Sequence, residues 1–387
     1  MNTSRAGAPT PEGEPKTILF VDDDENVLAG LRRALSRGRA GCELVFASSG
    51  AAALEVLRAR RVDAVFSDMR MPEMDGASLL AHARTEAPGA ARVVLSGQTD
   101  AHAALVSSGL AHRFLSKPIG ADALAGVIRD IVAAQGHVAD AAVRGELGRM
   151  DCLPSPAATC RHLRAALSSD EPPLDVASAI ACDVGISAKV LQLASSAFFG
   201  LLTGLSSVPA AFERVGTQNL RTLMEIGTLA VAAPTPVGIV AGKLAAHARR
   251  VSRLVGYLQG TPPSPELQLA CQLHDVGVLA ATVLCGAAPG NGETQLAENA
   301  RIGQYLLKLW GLPSGVCELV ERARRALPMP VAAFASPAGA HQVLAVADAL
   351  DAELSAVPGH EDLAAAIHHP ELRRWKLAAS RLFEEEP

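Results

Sequence analysis

The stretch DAVFSDMRMPEMDG, residues 63–76, begins with a short apolar run that leads directly into an acidic residue, Asp68. A short apolar run that is followed by turn-forming residues predicts a buried strand. Four further runs of this kind occur in the chain, at Thr17–Val21, Glu43–Ala47, Arg92–Leu95 and Arg113–Leu115. Segments with the apolar spacing of a helix, such as Asn26–Ser36, alternate with these runs. The alternation predicts an α/β domain, a doubly wound five-stranded parallel sheet with helices on both faces.

The rest of the chain has a different pattern, because strand signals stop after Leu153 and amphipathic helices follow one another, one of them predicted over Ser264–Leu284. No segment repeats at a fixed period, which argues against a solenoid. The second half is therefore predicted to be all-helical. We expect five segments along the chain: a disordered start at 1–15, the α/β domain at 16–135, a helical linker at 136–150, the all-helical domain at 151–360 and a helical tail at 361–387.

The composition argues against several classes of protein. A net charge of -5 and an aromatic content of 3% disfavour direct binding to DNA or RNA, which uses basic surfaces and stacking side chains. None of the seven cysteines forms a CxxC pair, which indicates thiols in a reducing compartment. The polar start is not a signal peptide, and the apolar stretch Gly227–Gly242 contains two prolines and is too short to span a bilayer. We expect a soluble cytoplasmic protein without membrane contact.

Acidic residues and their partners stand where the predicted strands end. Asp22 and Asp23 follow the first strand, Asp68 ends the third, Ser96 ends the fourth and Lys117 follows the fifth. The carboxyl ends of parallel strands meet at one edge of the sheet. Clustered carboxylates suit Mg²⁺, and a carboxylate such as Asp68 can act as a nucleophile toward a phosphodonor. Mg²⁺ and Lys117 would neutralise charge on the transferring group, and Ser96 would hydrogen-bond to the new phosphate.

Each of these residues has a simpler explanation when it is taken alone. An aspartate at a strand end is usually a turn residue or a helix cap, and Asp24 is expected to cap the helix that follows it. A lone Lys-Pro pair is usually part of a loop. The joint pattern, in this order and on these strands, is what favours a phosphoryl-transfer site.

Four motifs carry a resemblance to a known family: VDDDENV, SDMRMPEMDG, VLSGQ and FLSKP. They resemble the receiver (CheY-like) domain of two-component response regulators, over about the first third of the chain. The resemblance implies that Asp68 is the phosphoacceptor. It also implies a Mg²⁺ site that is formed by Asp22, Asp23, Asp68 and the backbone carbonyl of Arg70.

The same resemblance implies a switch beside the phosphoacceptor. Ser96 would be the switch hydroxyl, Lys117 the phosphate-binding lysine, and Phe114 an aromatic ring that changes rotamer upon phosphorylation. Pro118 would follow a cis peptide bond, which proline permits at modest cost. The change would alter the face of the fourth helix, fifth strand and fifth helix, and the linker would pass it to the helical domain.

Histidine and aspartate residues in the helical half suggest a second site. His247, the doublet His274-Asp275 and the distant Asp348 would ligate one divalent metal if their helices are neighbours, and a bound water could then attack a phosphate ester. The alternative is that each histidine packs at a helix interface and that Asp348 faces solvent. Four residues over about a hundred positions form a loose pattern, so the spacing alone leaves both open.

The helical half resembles the HDOD domain, an all-helical relative of the HD phosphohydrolases, from about Leu147 to about Leu354. The motifs that carry this resemblance are LPSPAATCRHLRAAL, IACDVGISAKVLQLASSAFFG, SSVPAAFERVGTQNLRTL, LHDVG and IGQYLLKLWGLPSGV. In that family the domain generally serves as a signalling or protein-interaction output.

Departures from the family patterns bear on catalysis. Val184, Ser195-Ser196 and Val278 replace the residues that the HDOD pattern usually has. The related HD-GYP cyclic di-GMP phosphodiesterases carry further histidines near Asn299-Ala300 and within Val320–Arg325, and this chain has none at either place. A two-metal site cannot be built from the expected ligands, which argues against hydrolysis of cyclic dinucleotides.

Three hypotheses follow. The favoured one is a response regulator in which a sensor histidine kinase phosphorylates Asp68 and thereby changes the contacts of the helical domain with a downstream protein, with homodimerisation through the receiver as a further expectation. The second is a phosphorylation-controlled, metal-dependent phosphohydrolase acting on a nucleotide or cyclic dinucleotide. The third is a phosphate sink with no output of its own. Enzymatic activity of the helical half is not expected.

Overall fold

The structure is a computed structural model of the 387-residue chain. It describes residues 15–36, 41–97, 107–168, 173–196, 205, 207–286, 293–325, 339–355, 367 and 372–385. The chain falls into two compact units, the first running mainly to Asp151 and the second beginning at Cys152. Each unit is described by itself below. The five predicted segment boundaries stay predictions.

The first unit is built on a five-stranded parallel sheet, which confirms the predicted fold. Its strands are β1 (Lys16–Val21), β2 (Cys42–Ala47), β3 (Ala64–Asp68), β4 (Ala91–Ser96) and β5 (Arg113–Ser116), in the order β2-β1-β3-β4-β5. In the register, Asp68 lies opposite Leu95 and Ser96 lies opposite Ser116. The strand ends that carry the predicted site residues therefore meet at one edge.

Helices flank this sheet, and their caps follow from the sequence. They are α1 (Glu25–Ser36), α2 (Gly50–Ala59), α3 (Gly76–Glu86), α4 (Ala121–His137) and α5 (Ala141–Gly148). Ser49, Asp75 and Asp140 accept hydrogen bonds from backbone N–H groups in the first turns of α2, α3 and α5. The helix predicted between β4 and β5 falls largely on residues 98–106, outside the described residues, and a 3₁₀ turn at Ser107–Gly109 follows.

The second unit is mostly helical, as predicted. Its helices are α6 (Ala157–Ser168), α7 (Pro173–Ala181), α8 (Val184–Ala194), α9 (Val208–Val215), α10 (Thr217–Glu225), α11 (Thr235–Gln259), α12 (Pro265–Leu273), α13 (Val276–Cys285), α14 (Glu293–Leu309), α15 (Ser314–Arg325), α16 (Ala340–Ser355) and α17 (Leu372–Glu385). Two strands of two residues each, β6 (Pro154–Ser155) and β7 (Val231–Ala232), pair in parallel. The sequence analysis missed them because two residues are too few for a periodic signal.

One predicted helix is broken in the structure. Apolar periodicity continues through 264–284, but the chain forms two helices, α12 and α13, with His274 and Asp275 at the break. Within the described residues, the same stretch, Pro265–Cys285, is the one candidate that is long and apolar enough to cross a membrane, a feature the sequence analysis had not noted. Its most apolar window is 83% buried within the protein.

Candidate functional site

The carboxyl ends of β1, β3 and β5 bring together a lysine and two aspartates. The Lys117 ammonium contacts Asp22 Oδ2 at 2.6 Å and also forms an ion pair with Asp68 Oδ1. The peptide bond between Lys117 and Pro118 is cis. The structure therefore assembles a compact group from residues that lie up to 95 positions apart in the sequence.

Lys117 compensates part of the negative charge of this group by direct contact with both carboxylates. Burial by itself lowers the pKa of Lys117, but the hydrogen bonds with Asp22 and Asp68 outweigh it, so the net pKa is raised above its ordinary value. Lys117 consequently stays a cation at neutral pH. Asp68 has 14% of its side chain exposed and Lys117 has 28%, so both side chains are in contact with solvent.

The loop after β3 fixes the position of Asp68. The backbone N–H of Arg70 donates to Asp68 Oδ2 at 2.7 Å. A Cβ atom at Gly76 would overlap the carbonyl oxygen of Asp68, so that position requires glycine. The sequence analysis quoted Gly76 only as part of a motif and missed its positioning role.

The other predicted site residues lie near this edge with different degrees of exposure. Asp23 is exposed after β1, Ser96 is fully buried at the end of β4, and the ring of Phe114 is buried on β5. The Asp24 carboxylate accepts from the backbone N–H of Asn26 at 2.8 Å, which agrees with the expected cap. Carboxylates at this edge are the hard oxygen donors that suit Mg²⁺.

Four side chains converge in the second unit. They are His247 on α11, His274 and Asp275 at the break between α12 and α13, and Asp348 on α16. His247 Nε2 lies 3.1 Å from His274 Nε2, 3.0 Å from Asp348 Oδ1 and 3.6 Å from Asp275 Oδ2. His274 Nε2 lies 3.5 Å from both Asp275 Oδ2 and Asp348 Oδ1. We refer to these four residues as the His/Asp cluster.

The His/Asp cluster is buried, and its side chains are between 0% and 7% exposed. The alternative that Asp348 faces solvent is therefore wrong, because α16 packs this residue against α11. Among the residues that the structure describes, one group of three or more metal-type donors lies close together, and it consists of His247, His274 and Asp275.

Hydrogen bonds on the outer side of each ring set its orientation. His274 Nδ1 lies 2.7 Å from the carbonyl oxygen of Cys271, which can only accept, so Nδ1 carries the proton. His247 Nδ1 lies 2.7 Å from Asp351 Oδ2, and Arg250 donates to both oxygens of Asp351 at 2.8 and 3.1 Å. Both Nε2 atoms are thus directed toward the centre of the cluster.

Asp351 and Arg250 were missed by the sequence analysis although a signal was available. Asp351 follows Asp348 by three residues, and Arg250 follows His247 by three residues. Residues three apart share one face of a helix, so the two pairs could have been recognised as one polar face on each helix.

The pKa of His247 depends on this surrounding charge. Burial by itself lowers the pKa, but hydrogen bonds with Asp348 and Asp351 outweigh it and raise the pKa to about 9. A protonated His247 and a bound divalent cation are alternative ways to balance the carboxylates, because a protonated Nε2 cannot be a metal ligand.

Comparisons with known proteins agree with this division. The response regulator receiver domain family matches residues 18–129, and the HDOD domain family matches residues 153–299. The transcriptional regulatory protein GlrR of Escherichia coli (strain K12) is 39% identical over 119 residues, which are 30% of this chain and 26% of that protein. The sensor kinase CckA of Brucella abortus (strain 2308) is 36% identical over 123 residues, 31% of this chain and 13% of that protein. The chain therefore spans about a quarter or less of these relatives.

A solved structure, the signal receiver domain of an HD domain-containing protein from Pseudomonas fluorescens Pf-5, is similar over the first unit. It is 33% identical, covers 32% of this chain and 99% of its own, and has a TM-score of 0.30.

Proposed function

We propose that this chain, a response regulator that joins a receiver domain to an HDOD domain, uses phosphorylation of Asp68 to switch protein contacts of its HDOD domain. The observation that supports Asp68 is the ion-paired group at the strand ends, where Lys117 joins the carboxylates of Asp22 and Asp68. An accessible carboxylate beside a fixed cation is the arrangement that acyl phosphate formation requires.

In the proposed reaction, a carboxylate oxygen of Asp68 attacks the phosphorus atom of the donor. A new P–O bond forms while the bond from phosphorus to the donor breaks, and the bonding pair leaves with the donor group. Asp22, Asp23, Asp68 and the backbone carbonyl of Arg70 would hold Mg²⁺, which neutralises charge on the phosphoryl oxygens when bound. Lys117 supplies a second positive charge, and the Ser96 hydroxyl would donate to the phosphate.

Labelling with acetyl phosphate tests the acceptor. We expect the purified chain to take up one phosphoryl group in the presence of Mg²⁺ and the Asp68→Asn variant to take up none. The control is Asp122→Asn, which changes an exposed carboxylate on α4 and should label like the unchanged protein. Persistent labelling of the Asp68→Asn variant would show that another residue is the acceptor.

The partners follow from this assignment as proposals. A sensor histidine kinase supplies the phosphoryl group, a downstream protein binds the HDOD domain, and the receiver is expected to form homodimers. We expect no direct contact with DNA and a cytoplasmic location. Affinity capture with the full chain, with and without beryllofluoride as the phosphate mimic at Asp68, should recover a protein whose amount differs between the two states. Equal recovery in both states would contradict switching.

The His/Asp cluster favours a second candidate, a metal-dependent phosphohydrolase. Four ligands about 2.0–2.1 Å from a tetrahedral ion lie roughly 3.3–3.4 Å from one another. The five measured separations, from 3.0 to 3.6 Å, surround this value. Two neutral imidazoles, a dication and the Arg250 guanidinium would also balance the three carboxylates of Asp275, Asp348 and Asp351. The residues therefore fit a single divalent metal, which would supply Lewis acidity when bound.

Metal analysis separates the two candidates. Stoichiometric zinc, iron or manganese that is lost in the His274→Ala/Asp275→Ala variant, together with hydrolysis of a nucleotide ester, would favour the enzyme. We favour the protein-interaction output, because a catalytic metal needs an open position and the cluster offers four buried protein donors.

A further inference from the structure

The second unit exposes an uncharged stretch of chain around β7. Residues 226–242 contain no Asp, Glu, Lys, Arg or His, although 19% of the whole chain is charged. Six large apolar side chains are exposed among the residues that the structure describes, and three of them belong to this stretch: Ile226 at 43%, Val231 at 44% and Ile239 at 58%. Isolated exposed apolar side chains are ordinary, but several of them in one uncharged stretch are typical of a contact surface.

The strand β7 has an open side. In the part of the chain that the structure describes, β7 pairs with β6 alone. The backbone N–H of Ala233 donates to the Ser155 carbonyl oxygen at 2.9 Å, so Ala233 directs this group toward β6. Successive residues of a strand direct their hydrogen-bonding groups to opposite sides, so the N–H and C=O groups of Ala232 point away from β6. Both residues of β7 are exposed, and another strand can therefore reach them.

Prolines beside β7 keep this open side short. Pro234 has no N–H group and cannot extend a hydrogen-bonded ladder, and Pro236 stands in the first turn of α11. Prolines on an exposed strand are one of the means by which proteins prevent open-ended association. The open side of β7 therefore suits a closed contact of a few residues and disfavours a growing sheet.

A second copy of this chain can satisfy the open side of β7. When two β7 strands pair antiparallel about a two-fold axis at Ala232, this residue and the partner's Ala232 exchange both of their N–H···O bonds. Val231 of each copy then lies opposite the partner's Ala233, which gives two pairs of apolar side chains. The same surface serves both copies, as in most symmetric dimers of soluble proteins.

The charges around the stretch agree with pairing of identical copies. Residues 226–242 bring no like charges together, because they carry none. The exposed residues that border the stretch, Glu225 and Lys243, have opposite signs. In an antiparallel arrangement the segment before β7 in one copy runs beside the segment after β7 in the other, so opposite charges border the contact on both sides.

We infer that β7 pairs with the β7 strand of a second copy, so that the second unit forms a symmetric dimer by strand addition. The inference goes beyond the proposed function and does not depend on phosphorylation of Asp68. The contact uses the second unit, whereas the homodimer expected above uses the receiver.

Sedimentation equilibrium of the full-length chain, without a phosphodonor, tests the inference. The average mass should rise with concentration from the 40.0 kDa of one chain toward twice that value. The contact is small, so we expect a weak dimer with a Kd of about 10–100 μM. A chain that stays monomeric well above this concentration range would overturn the inference and leave the open side of β7 to an extended segment of another protein.

Two variants assign the dimer to β7. Ala232→Pro removes the outward N–H group from each copy, so the dimer loses two hydrogen bonds and its Kd should rise about tenfold or more. An edge strand tolerates proline where the N–H faces solvent, so the variant should keep the urea midpoint of the unchanged chain. Val231→Lys places a charge in the contact of each copy and should weaken the dimer even if Ala232→Pro does not fold.

A matched control separates this contact from a general loss of apolar surface. Leu377 is 53% exposed on α17, outside the stretch, and Leu377→Lys should dimerise like the unchanged protein. The amide of Ala232 should exchange with solvent more slowly in concentrated than in dilute solution, because pairing with the second copy protects it. A Kd that is unchanged in both Ala232→Pro and Val231→Lys would place the association elsewhere and overturn the inference.

Asp68→Asn distinguishes this inference from the proposed function. This variant should lose labelling by acetyl phosphate and keep the dimerisation of the unchanged chain. Persistent labelling would contradict the proposed function and leave the β7 contact intact. Loss of dimerisation in Asp68→Asn would show that the receiver forms the dimer, and it would contradict the β7 contact.

Discussion

The receiver site, formed by Asp22, Asp68 and Lys117, and the His/Asp cluster both bring together aspartates from distant parts of the chain. The two sites differ in how the negative charge of these aspartates is compensated. At the receiver edge a lysine that is 28% exposed bridges two carboxylates. In the second unit three carboxylates surround two imidazoles and one guanidinium, with almost no exposure. A partly exposed group with one lysine leaves Asp68 accessible, as the proposed phosphorylation requires. A closed group of fixed donors is suited to keeping a proton or a metal ion.

The largest loss of stability is expected from removing Arg250, the cation that pairs with Asp351. Replacing Arg250 with Leu leaves a buried carboxylate without its guanidinium, and such losses cost about 3–5 kcal/mol. We expect the free energy of unfolding of the second unit to fall by about 3 kcal/mol, measured by urea denaturation. Lys243→Ala, an exposed change on the same helix, is the control. The double variant Arg250→Leu/Asp351→Leu has no unpaired buried charge at this pair, so it should be more stable than Arg250→Leu alone. A double variant that is less stable than Arg250→Leu would contradict the pairing of the two charges.

The next test addresses the rigidity of the receiver site. Replacing Gly76 with Ala places a Cβ against the Asp68 carbonyl, and overpacking of this kind costs about 1–3 kcal/mol. We expect a less stable receiver and slower labelling by acetyl phosphate. Gly126→Ala on α4, where the nearest atom to the added Cβ is 3.8 Å away, should leave both properties intact. Normal labelling of the Gly76→Ala variant would show that the loop does not position Asp68.

A pH titration distinguishes a proton from a metal ion in the His/Asp cluster. The pKa of His247 in the folded chain is about 9, above its ordinary value of 6.5, so its protonation stabilises the fold fully below pH 6.5. In the presence of a chelator, the free energy of unfolding should decrease between pH 6.5 and 9, by about 3 kcal/mol at most. The His247→Gln variant should lack this dependence.

Added zinc should oppose this decrease in the free energy of unfolding. Metal binding requires a deprotonated Nε2, so the stabilisation by zinc should grow as the pH rises through the same range. Identical pH profiles with and without zinc would contradict a metal site at the cluster.

The sequence predicted which strand ends meet, because in a parallel sheet the end of each strand fixes the edge at which its side chains lie. Asp22, Asp68 and Lys117 follow apolar runs, and the ends of those runs must meet. The His/Asp cluster was predicted only in outline, since helix packing decides whether His247 and Asp348 are neighbours. The break at His274 was missed because apolar side chains continue on both sides. The hydrogen bond between His112 Nε2 and the Gly148 carbonyl oxygen leaves no pattern in the local sequence, because it depends on how α5 packs against the sheet.

The pairing of β6 with β7 has a mechanical consequence. Pro154 and Ser155 come directly after the linker, and the backbone N–H of Ala233 donates to the Ser155 carbonyl at 2.9 Å, two residues before α11 begins. The 25 residues of α11 form a rod of about 37 Å, and His247 lies near its middle. A displacement of the chain at Pro154 would therefore be passed through this backbone pairing to the first residues of α11. Because α11 is continuous from Thr235 through His247, such a displacement would also act on the His/Asp cluster.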